Sequence, residues 1–385
     1  MTYSKYVVVG AGLAGSATAW QLAARGQEVM LLEQQERPAG GRGSSHGSSR
    51  IFRYPYPSRM YVQLVKRASF LWRELEADSG ENLLTKTGGL DYGNVRNPHH
   101  LAQILEEEGI SHELVSKSEA MSRWPQFVFD TDVLWQPEAA AIDAESAVKS
   151  MVDLAVKYGA GFRTGWKVQQ ISRTATGFLV QNRAGEVIEA ERLVVAAGGW
   201  LPEILDNPTL PRHFVQSLPQ VQVRQGQIYH FPYAAGMKEW PSFVHKNEAI
   251  QTYGLQGGRD ADFRGLKVAE FNVGKVFPSA SHQDGLIDPE DRQRIVDYVV
   301  KHLPGVAPEP YAETTCIFTN TQNEDFILER FQNLTIASPC SGHGAKFAPL
   351  IGDLVATLST APDEDSGRAA VPEAFLASRT GAAAL

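Results

Sequence analysis

Residues 5–34, "KYVVVGAGLAGSATAWQLAARGQEVMLLEQ", decide the fold. The β-branched run after Lys5 reads as a short buried strand. The next stretch has helical apolar spacing and stops at Gly26, and "QEVMLLEQ" reads as a second strand ending near the acid Glu33. Between strand and helix, Gly10, Gly12 and Gly15 form G-x-G-x-x-G. Gly10 suits the tight turn, Gly12 lets the backbone approach a pyrophosphate, and Gly15 lets helix and strand pack closely. The helix N-terminus adds N–H donors and a positive dipole end. Glu33 stands where a ribose hydroxyl finds its partner, and its charge would repel a 2′-phosphate. The unit predicts an α/β dinucleotide-binding domain.

The bulk properties bound the rest. A chain of 385 residues is too long for one ordinary core, and 43% apolar with 21% charged residues allows a sizeable one. The net charge of −8, with no basic run, argues against nucleic acid or an anionic membrane as partner. No apolar stretch reaches the roughly 18 residues of a membrane span. The strand pattern that opens the chain predicts a cytoplasmic protein without a signal peptide. Two cysteines, Cys316 and Cys340, are then expected as free thiols. No metal site is expected.

Helical patterns fall at 59–77, 98–109, 145–158 and along "PEDRQRIVDYVVKH", while 216–275 reads as mostly β. "NLTIASPCSGHGAKFAPLIGDLVATL" reads as strand, Gly-rich turn and helix. The expected organisation is a discontinuous Rossmann-like nucleotide domain (1–85, 145–210 and 325–360) interleaved with a second domain (86–144 and 211–324) on a mixed or antiparallel sheet. A polar tail, 361–385, is expected to be loosely held.

Chemistry concentrates in a few stretches. "ERLVVAAGGW" (191–200) places Gly198 at a second close approach of backbone to cofactor. It is similar to the second motif of glutathione-reductase-like FAD enzymes, in which "WKVQQI" would supply Val168 to the adenine region. "SSHGSSRIFR" carries Ser45, His46, Arg50 and Arg53; "GLKVAEF" holds Lys267 in an apolar strand pattern; Cys316 sits in a polar setting; "SGHGAKF" carries Gly342, His343, Gly344 and Lys346. Together with "GAGLAGSATAWQLAARG", "GGLDYG" and "CIFTNTQNEDFIL", these motifs resemble the monomeric sarcosine oxidase and N-methyltryptophan oxidase family over nearly the whole chain.

The resemblance implies FAD held covalently through Cys316, with His46 and Arg50 beside the flavin and Ser45 and the SGHG turn among the cofactor residues. It implies Arg53 and Lys346 on the substrate carboxylate, where an Arg fork and a Lys point charge suit an anion, and Tyr253 in the pocket. Lys267 would be the site of oxygen activation, because a fixed cation stabilises the charge that develops on dioxygen. His343 would either touch the flavin edge or shape its turn. The implied activity is oxidation of the C–N bond of a secondary amino acid by dioxygen, giving imine and hydrogen peroxide, in a monomeric enzyme. Rival readings are a dehydrogenase that passes electrons to a carrier, and a flavin protein without turnover.

The chain departs from sarcosine oxidases four residues after the lysine, where Phe271 replaces a histidine. Strand alternation puts Lys267 and Phe271 on one face and Glu270 on the other. The loop "YGLQGGRDADFRGLK" is also longer than usual. A larger N-alkyl amino acid, an N-carboxymethyl amine or a fructosyl amino acid is therefore a better expectation than sarcosine. The fructosyl reading needs a bulge to turn Glu270 inward.

Overall fold

The computed structural model describes residues 2–237 and 240–377. The opening unit folds as read: strand Thr2–Val9, helix Leu13–Ala24 and strand Val29–Leu32, with the two strands parallel. An eight-stranded sheet grows from it. Strand Val187–Val195 pairs with Thr2–Val9 on one side. On its other side the first half pairs with Phe178–Asn182 and the second half with Leu334–Ser338. One long strand thus joins the opening unit to the C-terminal part of the chain. Buried aliphatic residues on both faces (Val7, Val8, Val194, Val195) match the apolar run of a sheet covered on both sides.

Helix Leu13–Ala24 packs against Ala144–Lys157 and against Ala348–Thr360. The second crossing is close: a Cβ on Gly352 would lie 2.5 Å from the Ala17 backbone.

The other large sheet has nine strands. Gln222–Pro232, Gly265–Glu270, Gln251–Gln256 and Ser242–Lys246 run antiparallel in that order, and Gly89–Tyr92 joins the last of them in parallel. The whole of Ala312–Asn320 pairs antiparallel along 222–230 of Gln222–Pro232. One face buries Tyr229, Phe231, Leu266 and Val268 under helix Pro289–His302, through Ile295, Tyr298 and Val299. The other face is the floor of the site described below. The sheet is mixed, as expected.

The predicted helices lie at Arg59–Ser79, Pro98–Glu107, Ala144–Lys157, Pro289–His302 and Ala348–Thr360. The Gly-, Ser- and Arg-rich stretch 35–58 contains a strand, Arg50–Phe52, in a small three-stranded sheet. The tail corrects an expectation. As far as residue 377 it is docked, because Glu364–Arg368 forms a helix, Arg368 pairs with buried Glu329, and Phe375 is buried. Its composition hid these two anchors. Residues 378–385 of that tail lie outside the described residues. Among the described residues no helix is long and apolar enough to cross a membrane, and both cysteines are free thiols.

Candidate active site

Cross-strand neighbours share a face of a sheet, and this rule gathers most of the second-domain candidates. Val244 pairs with Tyr253, Tyr253 with Ala269, Leu255 with Lys267, Lys267 with His230, and Gly226 with Cys316. Lys267, Tyr253, Cys316 and Phe271 therefore share one face. Tyr253, Phe271 and Cys316 line a cavity of about 1030 Å³. Glu270 faces the opposite way and pairs with Arg294 on the covering helix at 3.1 Å. The register there is regular, so no bulge turns Glu270 inward.

Cys316 is 5% exposed. Burial alone would raise its thiol, but hydrogen bonding and charge from His46, with the charges of Arg50 and Lys267, bring it down to about 6. These charges favour the thiolate, the reactive form. Arg50 Nη2 lies 3.9 Å from the sulfur, held by the carbonyls of Ser44 (2.9 Å) and His46 (2.7 Å).

Lys267 is fully buried. Its Nζ donates to the Ser49 carbonyl at 3.0 Å. It is not itself a lining residue: Ser49, Arg50 and Cys316 line the cavity, and the ammonium sits behind that wall. The Ser49 carbonyl holds the ammonium there. Burial and then Arg50 push Lys267 down to about 7, against the opposing pull of Asp260 and Cys316. Asp260 comes from the long loop at 257–264 and hydrogen-bonds Ser48, pinning that loop to the His46–Arg50 segment.

At another wall Arg53 and Lys346 both line the cavity. Lys346 is 4% exposed and donates to Tyr56 Oη at 2.9 Å and to the His343 carbonyl at 2.8 Å. Burial, then Arg53 and Arg96, lower its pKa well below the usual lysine range. Arg53 hydrogen-bonds the Pro55 carbonyl and lies 3.8 Å from Asp91. Asp91 is taken chiefly by Arg96 at 2.5 Å. His343 uses both ring nitrogens, on Tyr56 Oη (3.1 Å) and the Glu324 carbonyl (3.0 Å), and burial and then Lys346 lower it to about 3. Of its two readings this geometry favours shaping the turn. Gly342 abuts Phe271, since a Cβ there would meet the ring at 2.9 Å.

The nucleotide end is built by the opening unit. Gly10 has φ +99°, and a Cβ there would meet the Ala196 carbonyl oxygen at 2.5 Å. A Cβ on Gly12 would meet Ser45 Oγ at 2.9 Å, and Ser45 Oγ accepts from Leu13 N–H at 3.0 Å. Glu33 accepts from the N–H groups of Ala11 and Gln35, each at 2.9 Å. Gly10, Gly12, Glu33, Ser45, Val168, Gly198, Gly342 and Gly344 all line the same cavity, together with His46, Arg50 and His343. Gly15 does not; a Cβ there would strike the Gly10 carbonyl at 1.7 Å, which is its packing role.

Residues 5–358 match the FAD dependent oxidoreductase family. The chain belongs to that family. Mouse (Mus musculus) peroxisomal sarcosine oxidase is 30% identical, covering 92% of this chain and 91% of the relative. Monomeric sarcosine oxidase of Bacillus sp. (strain B-0618) is 27% identical over 93% and 92%. N-methyl-L-tryptophan oxidase of Yersinia pestis (strain Pestoides F) is 28% identical over 91% and 93%. Among solved structures, NikD, described as an unusual amino acid oxidase essential for nikkomycin biosynthesis, superposes with a TM-score of 0.82. It is 23% identical and covers 95% of this chain and 97% of its own. The fold is the FAD oxidoreductase one: a Rossmann-like nucleotide sheet beside a mixed substrate sheet. FAD fits these residues. Side chains at Gly10 and Gly12 would close the phosphate turn, and a carboxylate with about four acceptor positions keeps capacity for ribose hydroxyls after its two backbone bonds.

Sequence reasoning missed Arg96, Asp91, Tyr56 and Lys246. Arg96 and Tyr56 lie outside the quoted motifs, and Asp91 lies inside GGLDYG, where nothing in the sequence singles it out. Lys246 had one usable signal, its place two residues beyond Val244 on a strand that lines the cavity.

Proposed function

We propose that this FAD-dependent enzyme oxidises the C–N bond of a secondary amine bearing a carboxylate, with dioxygen as electron acceptor. The observation that carries the reading is the joint presence, on one cavity, of the Arg53–Lys346 cation pair and the Cys316 thiolate with Lys267 behind it. Arg53 and Lys346 bind the substrate carboxylate. Binding there fixes the α-carbon relative to the flavin, and orientation of this kind contributes much of the rate in such reactions. Bound flavin supplies the electron-pair acceptor. Tyr253 and Phe271 close the apolar side and exclude water around the amine. Cys316 is the residue that would tether the cofactor, its reactivity set by His46 and Arg50. Lys267 and Arg50 supply fixed positive charge on the side where dioxygen gains electrons.

The test is a peroxide-coupled screen of N-methyl, N-carboxymethyl, cyclic and fructosyl amino acids, run beside anaerobic bleaching of the flavin. Peroxide in step with amine consumed supports the reading. Bleaching without peroxide under air would make the enzyme a dehydrogenase, and no bleaching with any of them would remove the amine.

A further inference from the structure

The substrate wall of the cavity is lined by four basic residues, Arg53, Arg96, Lys246 and Lys346, and by the acids Glu324 and Asp325, with buried Asp91 behind it. Arg96 is committed to Asp91 at 2.5 Å and to the Pro55 carbonyl at 2.9 Å. Lys346 and Arg53 have the polar partners given above. Lys246 differs from them. Among the described residues its ammonium has no hydrogen-bond or ion-pair partner, and it rests on the face of Phe271, 4.2 Å from the ring centroid.

That placement follows from the sheet. Lys246 ends its strand opposite Gln251, and the Gln251 carbonyl accepts from Phe271 N–H at 2.7 Å. Lys246, Gln251 and Phe271 are thus lateral neighbours at one end of three adjacent strands, and the lysine crosses to the ring. A cation–π contact offsets only part of the cost of removing an ammonium from water. Burial, and then Arg96 and Arg53, lower Lys246 to about 8. With Arg53 and Lys346 given to the first carboxylate, Lys246 is the basic group of this wall left resting on an aromatic face.

We propose that the substrate carries a second anionic group, a carboxylate on its N-substituent or side chain, that pairs with Lys246 over Phe271. The preferred class is a secondary amine dicarboxylate, of which an N-carboxymethyl amino acid is the simplest form. This rests on the amine-oxidation reading and narrows it.

Thioethers imitate the amine without being oxidised at the same bond, so binding can be read from the absorbance change of the bound flavin. Thiodiacetate presents two carboxylates and (methylthio)acetate one. With the flavin-loaded enzyme, thiodiacetate should bind about tenfold or more tightly than (methylthio)acetate, the size of one charged hydrogen bond. The preference should shrink to about twofold in Lys246→Met and return in Lys246→Arg. Equal affinities in the wild type overturn the proposal whatever the variants do, and so does a preference that survives in Lys246→Met. Neither ligand binding, with no secondary amine bleaching the flavin, overturns the amine reading and this one together. A bound monocarboxylate with no preference for the second charge overturns this one alone.

Discussion

Lys267 Nζ donates to the Ser49 carbonyl at 3.0 Å, which fastens the substrate sheet to the segment carrying His46 and Arg50. The contact helps a buried lysine to be tolerated, while burial and then Arg50 lower its pKa to about 7. Lys267→Met should slow reoxidation of the reduced enzyme by dioxygen by about 10²–10³, the usual cost of one preorganised electrostatic partner. Anaerobic reduction by substrate should survive. In the wild type the reoxidation rate should fall as pH rises through the lysine's pKa, because the neutral amine has lost the useful charge. The variant should be slow and flat with pH, and stopped-flow absorbance reads both.

The Cys316 thiol, at about 6, predicts its own chemistry. In flavin-free protein with Cys340→Ser, thiolate absorbance near 240 nm should appear as pH rises through 6. His46→Asn should move that midpoint upward, since burial then acts with less opposition. Denatured, acid-precipitated wild type should stay yellow, and Cys316→Ala should release its flavin to the supernatant. A colourless wild-type pellet would end the tether.

Lys346 is held below the lysine range by burial and by Arg53 and Arg96. An anion binds its protonated form. Carboxylate affinity should therefore be full below the lysine's pKa in the free enzyme and weaken as pH rises above it, and binding should take up protons. Calorimetry in two buffers of different ionisation enthalpy measures that uptake. Lys346→Met should weaken (methylthio)acetate by about 10–100-fold, the range for a hydrogen bond to a charged group.

Glu270 gives the opposite expectation. It faces Arg294, 43% exposed, on the far side of the sheet from the cavity. Glu270→Gln should leave KM and kcat within about twofold and change stability by about 1 kcal/mol, as for other partly exposed ion pairs. A large change in kinetics with a fructosyl amino acid alone would revive an acid-dependent substrate reading.

How much of this was legible beforehand varies with the range of the interaction. The opening unit was clear because its turn chemistry is local: Gly10, Gly12, Gly15 and Glu33 lie within one strand–helix–strand. The opposite facings of Lys267 and Glu270 were legible from alternation alone. The position of Lys267 behind Ser49 was not, because it depends on a carbonyl 218 residues away in sequence. Arg96 and Lys246 escaped for the same reason. Each is an ordinary charged residue locally and becomes part of a site only when the sheet brings Gly89–Tyr92 beside Ser242–Lys246. The docked tail depends on Arg368 finding Glu329, a pairing that composition does not announce.

The crossing of Gly352 over Ala17 has a consequence for the order of events in the cell. The first helix of the nucleotide unit leaves the ribosome early, but the surface it must cover arrives with Ala348–Thr360. At about 5–20 residues per second, that delay is on the order of 20–70 s. Through that interval Leu22 and Trp20, buried in the finished protein, lack part of their cover. Chaperone demand should then be greatest for the nascent N-terminal half, and cofactor loading should follow release of the chain.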